Sequence, residues 1–422
     1  MKILHITNSL TGGAGIAALR LHEAMLNEGI ESKILTGNSG NLISQNITQF
    51  RQQNKSILNS RLQNFLVRFK VGVMNSQKNY ISTKDLKGAY ELFTSPLTDF
   101  NLRACKEVEW ADIIHLHWIS DYLDFNTFFL NLNKPVVWTL HDINPFAGGF
   151  HLRKDIADNK SFSLVEKQFM EIKRKAVANV KSLTVVSPSL WLLKESQRSL
   201  MFSGRPHYQI YNTLPLDKFY ILDKIVARKM LGINEEDNII LLVNNSFTFN
   251  KGGDLLEEML KDQSLKCISF HTVGHLNTVA ANLHAHGKID NISIQNLLYA
   301  VCDAVLIMSR DENFPNVMLE AMACGRPVLS FNIGGMSEIV NDHCNGLKAS
   351  TVDYTGLKQL LLDFVEIKNE FNDNEIRNIA LNNFSYPTIS KKYDELYQRL
   401  LMPNALSQNI HSNPVLQPGP LY

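Results

Sequence analysis

The sequence has no excess of either charge, no long apolar run and no paired cysteine motif. Its 42 lysines and arginines nearly balance its 41 aspartates and glutamates, so net charge gives no general indication of nucleic-acid binding. No apolar run reaches the ~18 residues that a membrane span requires. The 5 cysteines are scattered without a Cys-x-x-Cys pair, which favours free thiols in a reducing cytosol over zinc or disulfide frameworks.

Two further absences bear on organisation. The first residues, MKILHITNSL, hold one lysine, no long apolar region and no cleavage pattern, so they are not typical of a signal peptide. No Ser/Gly-rich tether interrupts the chain, which favours domains held close together. At 422 residues, 45% hydrophobic and 20% charged, the chain predicts a globular protein of two domains.

Acidic residues are absent from 32–84, and the second half of that stretch is basic. Apolar residues recur there at helical spacing, namely Leu58, Leu62, Phe65, Leu66 and Phe69. This pattern predicts a basic amphipathic helix in 51–84 that lies on an anionic membrane surface. The alternative, left open, is a helix whose apolar face packs on its own domain while the basic face is solvated.

The stretch 303–335 carries the main pattern of the sequence. The apolar run 305–308 predicts a buried parallel strand, and a polar loop follows it. Pro315 suits the first position of the next helix, which Gly325 ends before a second strand opens at 327. The stretch therefore predicts one strand–helix–strand unit of an α/β domain.

Two glutamates flank the start of that helix, Glu312 in the loop and Glu320 one turn into the helix. Ligands of open α/β sheets bind outside the carboxyl ends of the strands, where a helix N-terminus suits a phosphate. A carboxylate accepts hydrogen bonds from sugar hydroxyls, so the pair fits a sugar joined to a diphosphate. On spacing alone, the pattern favours the alternative that Glu312 is a capping or first-turn acid and Glu320 a solvated helix residue.

The same stretch resembles the Glu-x7-Glu signature of retaining glycosyltransferases of family 4, which have the GT-B fold. The match includes ENFPN, LEAMACGRPV and the trailing IGG. The resemblance implies that Glu312 contacts the donor sugar, Glu320 the nucleotide ribose, and the amides near residue 316 the diphosphate. The donor-binding residues that it implies in this stretch are Arg310, Glu312, Asn313, Phe314, Asn316, Val317 and Glu320.

A lysine in the second domain fits the same resemblance. Lys251 follows the strand predicted at 239–243 and matches a family lysine that pairs with the donor diphosphate. The family arginine of that loop falls near Asn245, where this sequence has no cation. Arg310 is a candidate for the second positive charge. The alternative for Lys251 is a solvated turn lysine.

Glycines follow the first predicted strand, at 2–7, and precede a helix that ends near 28. Gly12, Gly13 and Gly15 permit close approach of a ligand to the backbone, but they do not make the full G-x-G-x-x-G fingerprint. The sequence therefore predicts no dinucleotide cofactor. The resemblance implies that this loop lies at the cleft, with Gly13 on the donor side. The alternative is a tight strand–helix turn.

Histidines end two further predicted strands, 111–117 and 135–141. His115 and His117 alternate with apolar residues, which indicates packed or hydrogen-bonded core positions. His141 opens the loop HDINPFAGGF, which resembles the His-Asp-x-x-Pro-Phe-x-Gly-Gly loop of a family 4 subgroup in bacterial polysaccharide assembly. This implies that His141 meets the donor sugar and that Asp142 orients it or meets the acceptor. The alternative is that His141 caps the loop.

The resemblance covers most of 1–402 and implies an α/β protein of the GT-B fold, with two Rossmann-like domains facing across a cleft. The predicted parts are an acceptor-side domain (1–212), a nucleotide-sugar-binding domain (213–383), a C-terminal helix crossing back to the first domain (384–402) and a disordered tail (403–422).

The implied activity is retaining transfer of a sugar from a nucleotide diphosphate sugar, with His141, Lys251 and Glu312 as the catalytic residues. We expect no metal, because no suitably placed Asp-x-Asp pair is present, and no cofactor besides the donor. The expected acceptor is a glycan or lipid-linked oligosaccharide at the inner face of the cytoplasmic membrane. A rival interpretation is a non-catalytic GT-B subunit that binds a partner or glycan.

Overall fold

The computed structural model describes residues 1–42, 44–50, 72–74, 80–82, 86–87 and 90–402. The chain divides into two compact units. Unit one is Met1–Ile210 together with the described residues from Ser390 onward, and unit two is Tyr211–Ile389.

Nine strands are described in unit one. They are β1 (Lys2–Ser9), β2 (Glu31–Asn38), β3 (Ile47–Gln49), β4 (Gly72–Met74), β5 (Tyr80–Ser82), β6 (Ile113–Leu116), β7 (Val136–Thr139), β8 (Leu183–Ser187) and β9 (His207–Gln209). Seven of them form a parallel sheet in the order β3-β2-β1-β6-β7-β8-β9, and β4 pairs with β5 in an antiparallel ribbon. The order reverses between β1 and β6, as in a doubly wound Rossmann sheet.

Helices alternate with many of the strands of unit one along the chain. The helices are α1 (Gly13–Asn27), α2 (Lys106–Trp110), α3 (Phe125–Phe128), α4 (Arg153–Asp158), α5 (Ser163–Ala178) and α6 (Leu190–Gln197). Every residue of β6, β7 and β8 is buried. This burial explains their continuous apolar runs, since a central parallel strand has no solvated face.

Unit two repeats this plan on a smaller sheet. Its strands are β10 (Asn238–Ser246), β11 (Ile268–His275), β12 (Leu283–Ala285), β13 (Ala304–Ile307), β14 (Val328–Phe331) and β15 (Gly346–Ala349). They are parallel and run in the order β12-β11-β10-β13-β14-β15, with the reversal between β10 and β13. The predicted strands of the second domain are thereby confirmed.

Seven helices of unit two are described. They are α7 (Lys224–Leu231), α8 (Gly253–Met259), α9 (Ile292–Val301), α10 (Asn316–Ala323), α11 (Met336–Ile339), α12 (Tyr354–Ile367) and α13 (Asp373–Phe384). The sheet and α12 share one apolar core that includes Leu242, Leu306 and Leu361. Burial of that core fixes which face of each strand meets the helices.

The last helix, α14 (Tyr386–Leu401), adds to unit one from Ser390 onward. Two of its tyrosines reach the sheet of that unit. The hydroxyl of Tyr393 lies 2.9 Å from Thr139 Oγ1, and the hydroxyl of Tyr397 lies 2.6 Å from His115 Nδ1. Buried tyrosines whose hydroxyls are paired in this way tie the helix to a defined position.

Most of the basic segment 51–84 lies outside the described residues, as does the tail 403–422. The predicted amphipathic helix and the predicted disorder therefore stay predictions. Across the described part of the chain, every helix is too short or too polar to cross a membrane.

Candidate functional site

The site in unit two forms where its sheet order reverses. Lys251 follows β10 and Glu312 follows the neighbouring strand β13, so both lie at the carboxyl ends of adjacent strands. Lys251 Nζ lies 2.5 Å from Glu312 Oε2, and the two side chains are 26% and 18% exposed. Lys251 is thus held against a carboxylate, and its description as a solvated turn lysine is wrong.

Glu320 lies on α10 and is buried, with 8% of its surface exposed. The hydroxyl of Tyr299, on α9, donates a 2.9 Å hydrogen bond to Glu320 Oε2. Burial and the nearby Glu320 charge raise the pKa of Tyr299 well above its usual value. The alternative of a solvated helix residue is wrong for Glu320, because its carboxylate is buried and accepts a hydrogen bond from Tyr299.

The start of α10 differs from expectation by one residue. Pro315 has extended backbone angles and immediately precedes the helix, which begins at Asn316. Asn316 is buried, while Val317 is partly exposed. The helix therefore begins four residues after Glu312, in the connection that follows β13, and the partial positive charge of its first amides favours an anion.

The loop before α10 is fixed from two sides. The ring of Phe314 stacks on Tyr211, with centroids 5.2 Å apart, and Asn313 accepts a 2.7 Å backbone hydrogen bond from Gly335. Gly334 has φ +50°, and a Cβ there would lie 1.8 Å from the Glu312 carbonyl oxygen. The trailing IGG thus serves to let its loop pass close behind Glu312.

Arg310 has an acidic partner in the structure. Its guanidinium forms two 2.7 Å hydrogen bonds to the carboxylate of Asp254, donates to the Phe249 carbonyl and lies over the Phe249 ring. Its role as a second cation for the diphosphate stays a prediction. The position near Asn245 remains without a cation, as the sequence indicated.

In unit one, the loop that His141 opens is held by Asp142. Asp142 Oδ2 lies 2.7 Å from His151 Nδ1 and accepts a 3.1 Å bond from Trp118 Nε1, and Oδ1 accepts the Asn144 amide at 2.8 Å. Burial opposes ionisation of Asp142, but these partners, His151 first, bring its pKa below the usual value. Asp142 therefore orients the loop and His151, and its negative charge also acts on His141, whose pKa it raises against the lowering effect of burial.

The glycine pair of that loop has a partner that the sequence analysis missed. The carboxylate of Glu166, on α5, accepts backbone hydrogen bonds from Gly148, Gly149 and Phe150 at 2.7, 2.7 and 2.8 Å. Lys173, two turns further along α5, donates to the carbonyl of Asn144 at 2.6 Å. The spacing of Glu166 and Lys173 on one helix face is the only sequence signal for either role.

The histidines of unit one form a stack. His117 Nδ1 lies 3.2 Å from His141 Nε2, and His117 Nε2 lies 2.9 Å from His5 Nδ1. The rings of His115 and His117 stack with centroids 4.2 Å apart. Burial lowers the pKa of His141 to about 4 and that of His115 to about 3, so both rings are neutral at pH 7. The prediction that His115 and His117 are hydrogen-bonded core residues is confirmed.

His5, His115 and His117 bring three ring nitrogens within 4.8 Å of one another, which makes them the metal-ligand candidate of the described residues. His115 uses both of its ring nitrogens, toward Tyr397 at 2.6 Å and Thr139 at 2.7 Å. His5 and His117 are joined directly. A transition metal would need a lone pair from each ring, and His115 and His117 already use both of their ring nitrogens in hydrogen bonds. The cluster fits a hydrogen-bond network better than a metal centre.

The glycines of the loop after β1 lie in two different environments, one open and one closely packed. Gly12 has φ +82° at the start of α1, and Gly13 faces open space. Gly15 is buried, and a Cβ there would lie 2.3 Å from the Ser9 carbonyl oxygen. Gly15 is therefore required by helix–strand packing and not by ligand approach, whereas the structure leaves Gly12 and Gly13 accessible from outside.

Comparison with known proteins relates this geometry to others. Residues 223–380 match the family described as "Glycosyl transferases group 1". N-acetyl-alpha-D-glucosaminyl L-malate synthase of Bacillus anthracis is 27% identical over 238 residues, which cover 52% of this chain and 60% of that protein. The chain thus spans less than two thirds of this relative, so the activity and substrates of the whole protein have to be inferred.

Two solved structures share the fold. Sucrose-phosphate synthase from Thermosynechococcus elongatus has a TM-score of 0.66 at 16% identity, covering 96% of this chain and all (100%) of that one. Anabaena Alr3699/HepE in complex with UDP has a TM-score of 0.62 at 18% identity, and the match covers 94% of this chain and 100% of that one. At such identities the likeness shows the fold alone. It confirms the predicted α/β class with two Rossmann-like sheets, the GT-B fold.

Proposed function

We propose that this chain, whose residues 223–380 belong to the glycosyl transferases group 1 family, transfers a sugar from a nucleoside diphosphate sugar to an acceptor hydroxyl with retention at the anomeric carbon. The observation that carries the proposal is the Lys251–Glu312 pair, 2.5 Å apart at the reversal point of the unit-two sheet. A cation, a carboxylate and a helix start meet there, which matches the charge pattern of a sugar diphosphate.

Each part of the donor has a partner of suitable chemistry in this arrangement. The diphosphate would lie against the first amides of α10 and the Lys251 ammonium. Its negative charge would replace the Glu312 carboxylate as the partner of Lys251. The Glu312 carboxylate, released or shared, would accept hydrogen bonds from sugar hydroxyls. Glu320, held by Tyr299, would accept from the ribose.

The proposed reaction needs no proton donor on the enzyme. The bond from the anomeric carbon to the diphosphate oxygen breaks, and the bond to the acceptor oxygen forms on the same face. The acceptor proton passes to the departing phosphate oxygen. Lys251 and the helix amides stabilise the negative charge that develops on the leaving group, which is the largest contribution that such a site can make.

The donor nucleotide and the acceptor are proposed on weaker support. UDP is the first candidate, because Alr3699/HepE, which shares the fold, was solved in complex with UDP. A lipid-linked oligosaccharide of surface polysaccharide assembly is proposed as the acceptor from the resemblance of the loop at 141–149, with action at the inner face of the cytoplasmic membrane. The membrane contact through 51–84 is tested by sedimentation with anionic vesicles, which we expect glutamate at Arg61, Arg68 and Lys70 to abolish.

The test of the donor site is a thermal-shift panel of UDP-, GDP-, ADP- and TDP-sugars, followed by a turnover assay with the donor that binds. A donor at one hundred times its Kd stabilises the folded state by about 2.7 kcal/mol. We expect one nucleotide to shift wild type and the exposed-surface control Glu257→Ala equally, and to shift Glu320→Ala much less. Equal shifts in all three proteins would contradict the proposed site.

A non-catalytic GT-B subunit is the second candidate, and one observation favours it. The described residues around Asn245 supply no cation, and Arg310 is bound by Asp254, so Lys251 carries the clamp with the helix amides. Binding of a nucleotide sugar without hydrolysis or transfer, across a panel of acceptors, would support this candidate over the enzyme.

A further inference from the structure

Three imidazoles of unit one are joined end to end. His141 follows β7, His117 follows β6 and His5 lies within β1, so the chain of rings runs across three neighbouring strands. His141 Nε2 meets His117 Nδ1 at 3.2 Å, and His117 Nε2 meets His5 Nδ1 at 2.9 Å. The chain begins at the candidate site loop and ends in the core, where His5 is fully buried.

Each of these rings is neutral at physiological pH. Burial, helped by the neighbouring histidines, lowers the pKa of His5 and of His117 well below the usual value, and burial lowers that of His141 to about 4. A neutral imidazole has one N–H and one lone pair. Every hydrogen bond between two such rings therefore fixes the tautomer of the next ring, and the whole chain has only two possible directions.

The inner end of the chain selects the direction. His5 Nε2 is buried and has no hydrogen-bond partner among the described residues. An N–H buried without an acceptor is the costlier of the two ways to leave an atom unpaired. His5 therefore carries its proton on Nδ1 and donates to His117 Nε2. His117 then carries its proton on Nδ1 and donates to His141 Nε2.

We propose that His5 and His117 are positioning residues that hold His141 in the tautomer with its proton on Nδ1 and its Nε2 lone pair turned inward to His117. In this state His141 is a hydrogen-bond donor and not a base. Toward a substrate it would donate to an oxygen atom of the sugar or leaving group. It takes no proton from the acceptor, whose proton passes to the phosphate.

The meaning of this tautomer for catalysis rests on the proposed transfer reaction, but the tautomer itself does not. It is measured on the full chain without substrate, as two-bond proton–nitrogen correlations of ¹⁵N-histidine-labelled protein at pH 7.5. The His141 signals are assigned by their loss in His141→Gln. We expect Nδ1 of His141 to be protonated and Nε2 unprotonated. A protonated Nε2 on His141 would overturn the proposal, whatever the protein transfers.

A pair of variants tests whether His5 sets the direction. His5→Asn keeps an amide donor near the Nδ1 position and should preserve the His141 tautomer. His5→Leu fills similar space without a donor, and we expect signals of both His141 tautomers. His275→Gln, at an exposed position at the end of β11 in unit two, is the control. A folded His5→Leu protein with an unchanged His141 tautomer would contradict the role given to His5.

Kinetics separate this inference from the proposed function. If the chain transfers sugar, His5→Leu should lower kcat by about fivefold, the value of one lost neutral hydrogen bond, with the donor KM little changed. His5→Asn should restore the rate. Absence of any transfer in wild type would refute the proposed function while leaving the spectroscopic result valid. A lower kcat in both variants would contradict positioning through a donor at residue 5.

Discussion

Replacing Glu166 by glutamine should unfold unit one at a markedly lower urea concentration. Its carboxylate accepts three short backbone hydrogen bonds, one on Oε2 from Gly148 and two on Oε1 from Gly149 and Phe150. The side chain is 9% exposed, so water does not replace a lost partner. Three backbone amides of the loop that His141 opens thus depend on one carboxylate.

The magnitude follows from counting what a glutamine can keep. Its single oxygen can retain the two bonds at the Oε1 position, but its NH₂ then faces the Gly148 N–H, which is left unpaired at a cost of about 1–3 kcal/mol. The two retained hydrogen bonds no longer have a charged acceptor, which costs about 1 kcal/mol each. Part of this cost is offset because a neutral glutamine avoids the desolvation of a buried carboxylate. We expect a net destabilisation of about 3 kcal/mol.

The assay can report on unit one alone. All 4 tryptophans, Trp110, Trp118, Trp138 and Trp191, belong to this unit, so urea unfolding followed by tryptophan fluorescence is specific to it. Glu171→Gln on the same helix is the matched control. Its carboxylate is 42% exposed and pairs with the surface cations Arg174 and Lys175, so we expect little change in the unfolding midpoint. Equal midpoints for the two variants would refute the reasoning.

Three further outcomes are expected. Lys251→Ala should raise the donor KM by about 10- to 100-fold, the value of a lost charge-assisted contact, while the exposed Lys288→Ala leaves it unchanged; similar KM values would argue against a diphosphate at Lys251. Gly15→Ala should cost about 1–3 kcal/mol in thermal unfolding because its Cβ meets the β1 backbone, whereas Gly13→Ala enters open space and should cost little. Burial lowers the pKa of His22 to about 4, so its contribution to the free energy of unfolding is complete above about pH 6.5 and is lost as the pH falls toward 4. In urea titrations between pH 7 and 4, wild type should therefore lose up to about 3 kcal/mol more stability than His22→Gln. Equal losses in the two proteins would contradict this.

The central strands were predictable because their signal is local. The ends of β6, β7 and β13 lie within two residues of the predicted ones, and β14 begins one residue after the predicted start at 327. An apolar run buried on both faces is visible in five consecutive residues. Edge strands such as β3 and β12 have three residues with partly exposed side chains, so their pairing depends on a neighbouring strand that no local pattern specifies.

The partners of the site residues were not predictable, because they come from distant parts of the chain. Tyr397 reaches His115 across 282 residues, and Tyr299 reaches Glu320 from another helix. Arg310 lies two residues before Glu312 and was expected beside it as a cation, but Asp254 captures its guanidinium from the start of α8. Spacing places a residue on an element, whereas its hydrogen-bond partner depends on which elements pack together.

The central strands of the two sheets follow the same order, but the side chains that follow them are charged in unit two and neutral in unit one. At the reversal of the unit-two sheet, Lys251 and Glu312 are charged groups, partly exposed, whose strength suits an anionic diphosphate. In unit one, His117 follows β6 at the reversal and His141 follows the next strand, β7, and burial keeps both rings neutral, with the pKa of His141 lowered to about 4. Neutral donors and acceptors discriminate hydroxyl groups by geometry without attracting the diphosphate. If the proposed transfer is right, the charged groups of unit two suit the diphosphate, and the neutral rings of unit one suit uncharged hydroxyl groups. Placing a charge at His117, for example by His117→Lys, should then weaken recognition of the neutral sugar more than binding of the free nucleotide diphosphate, and equal loss for both ligands would contradict that division.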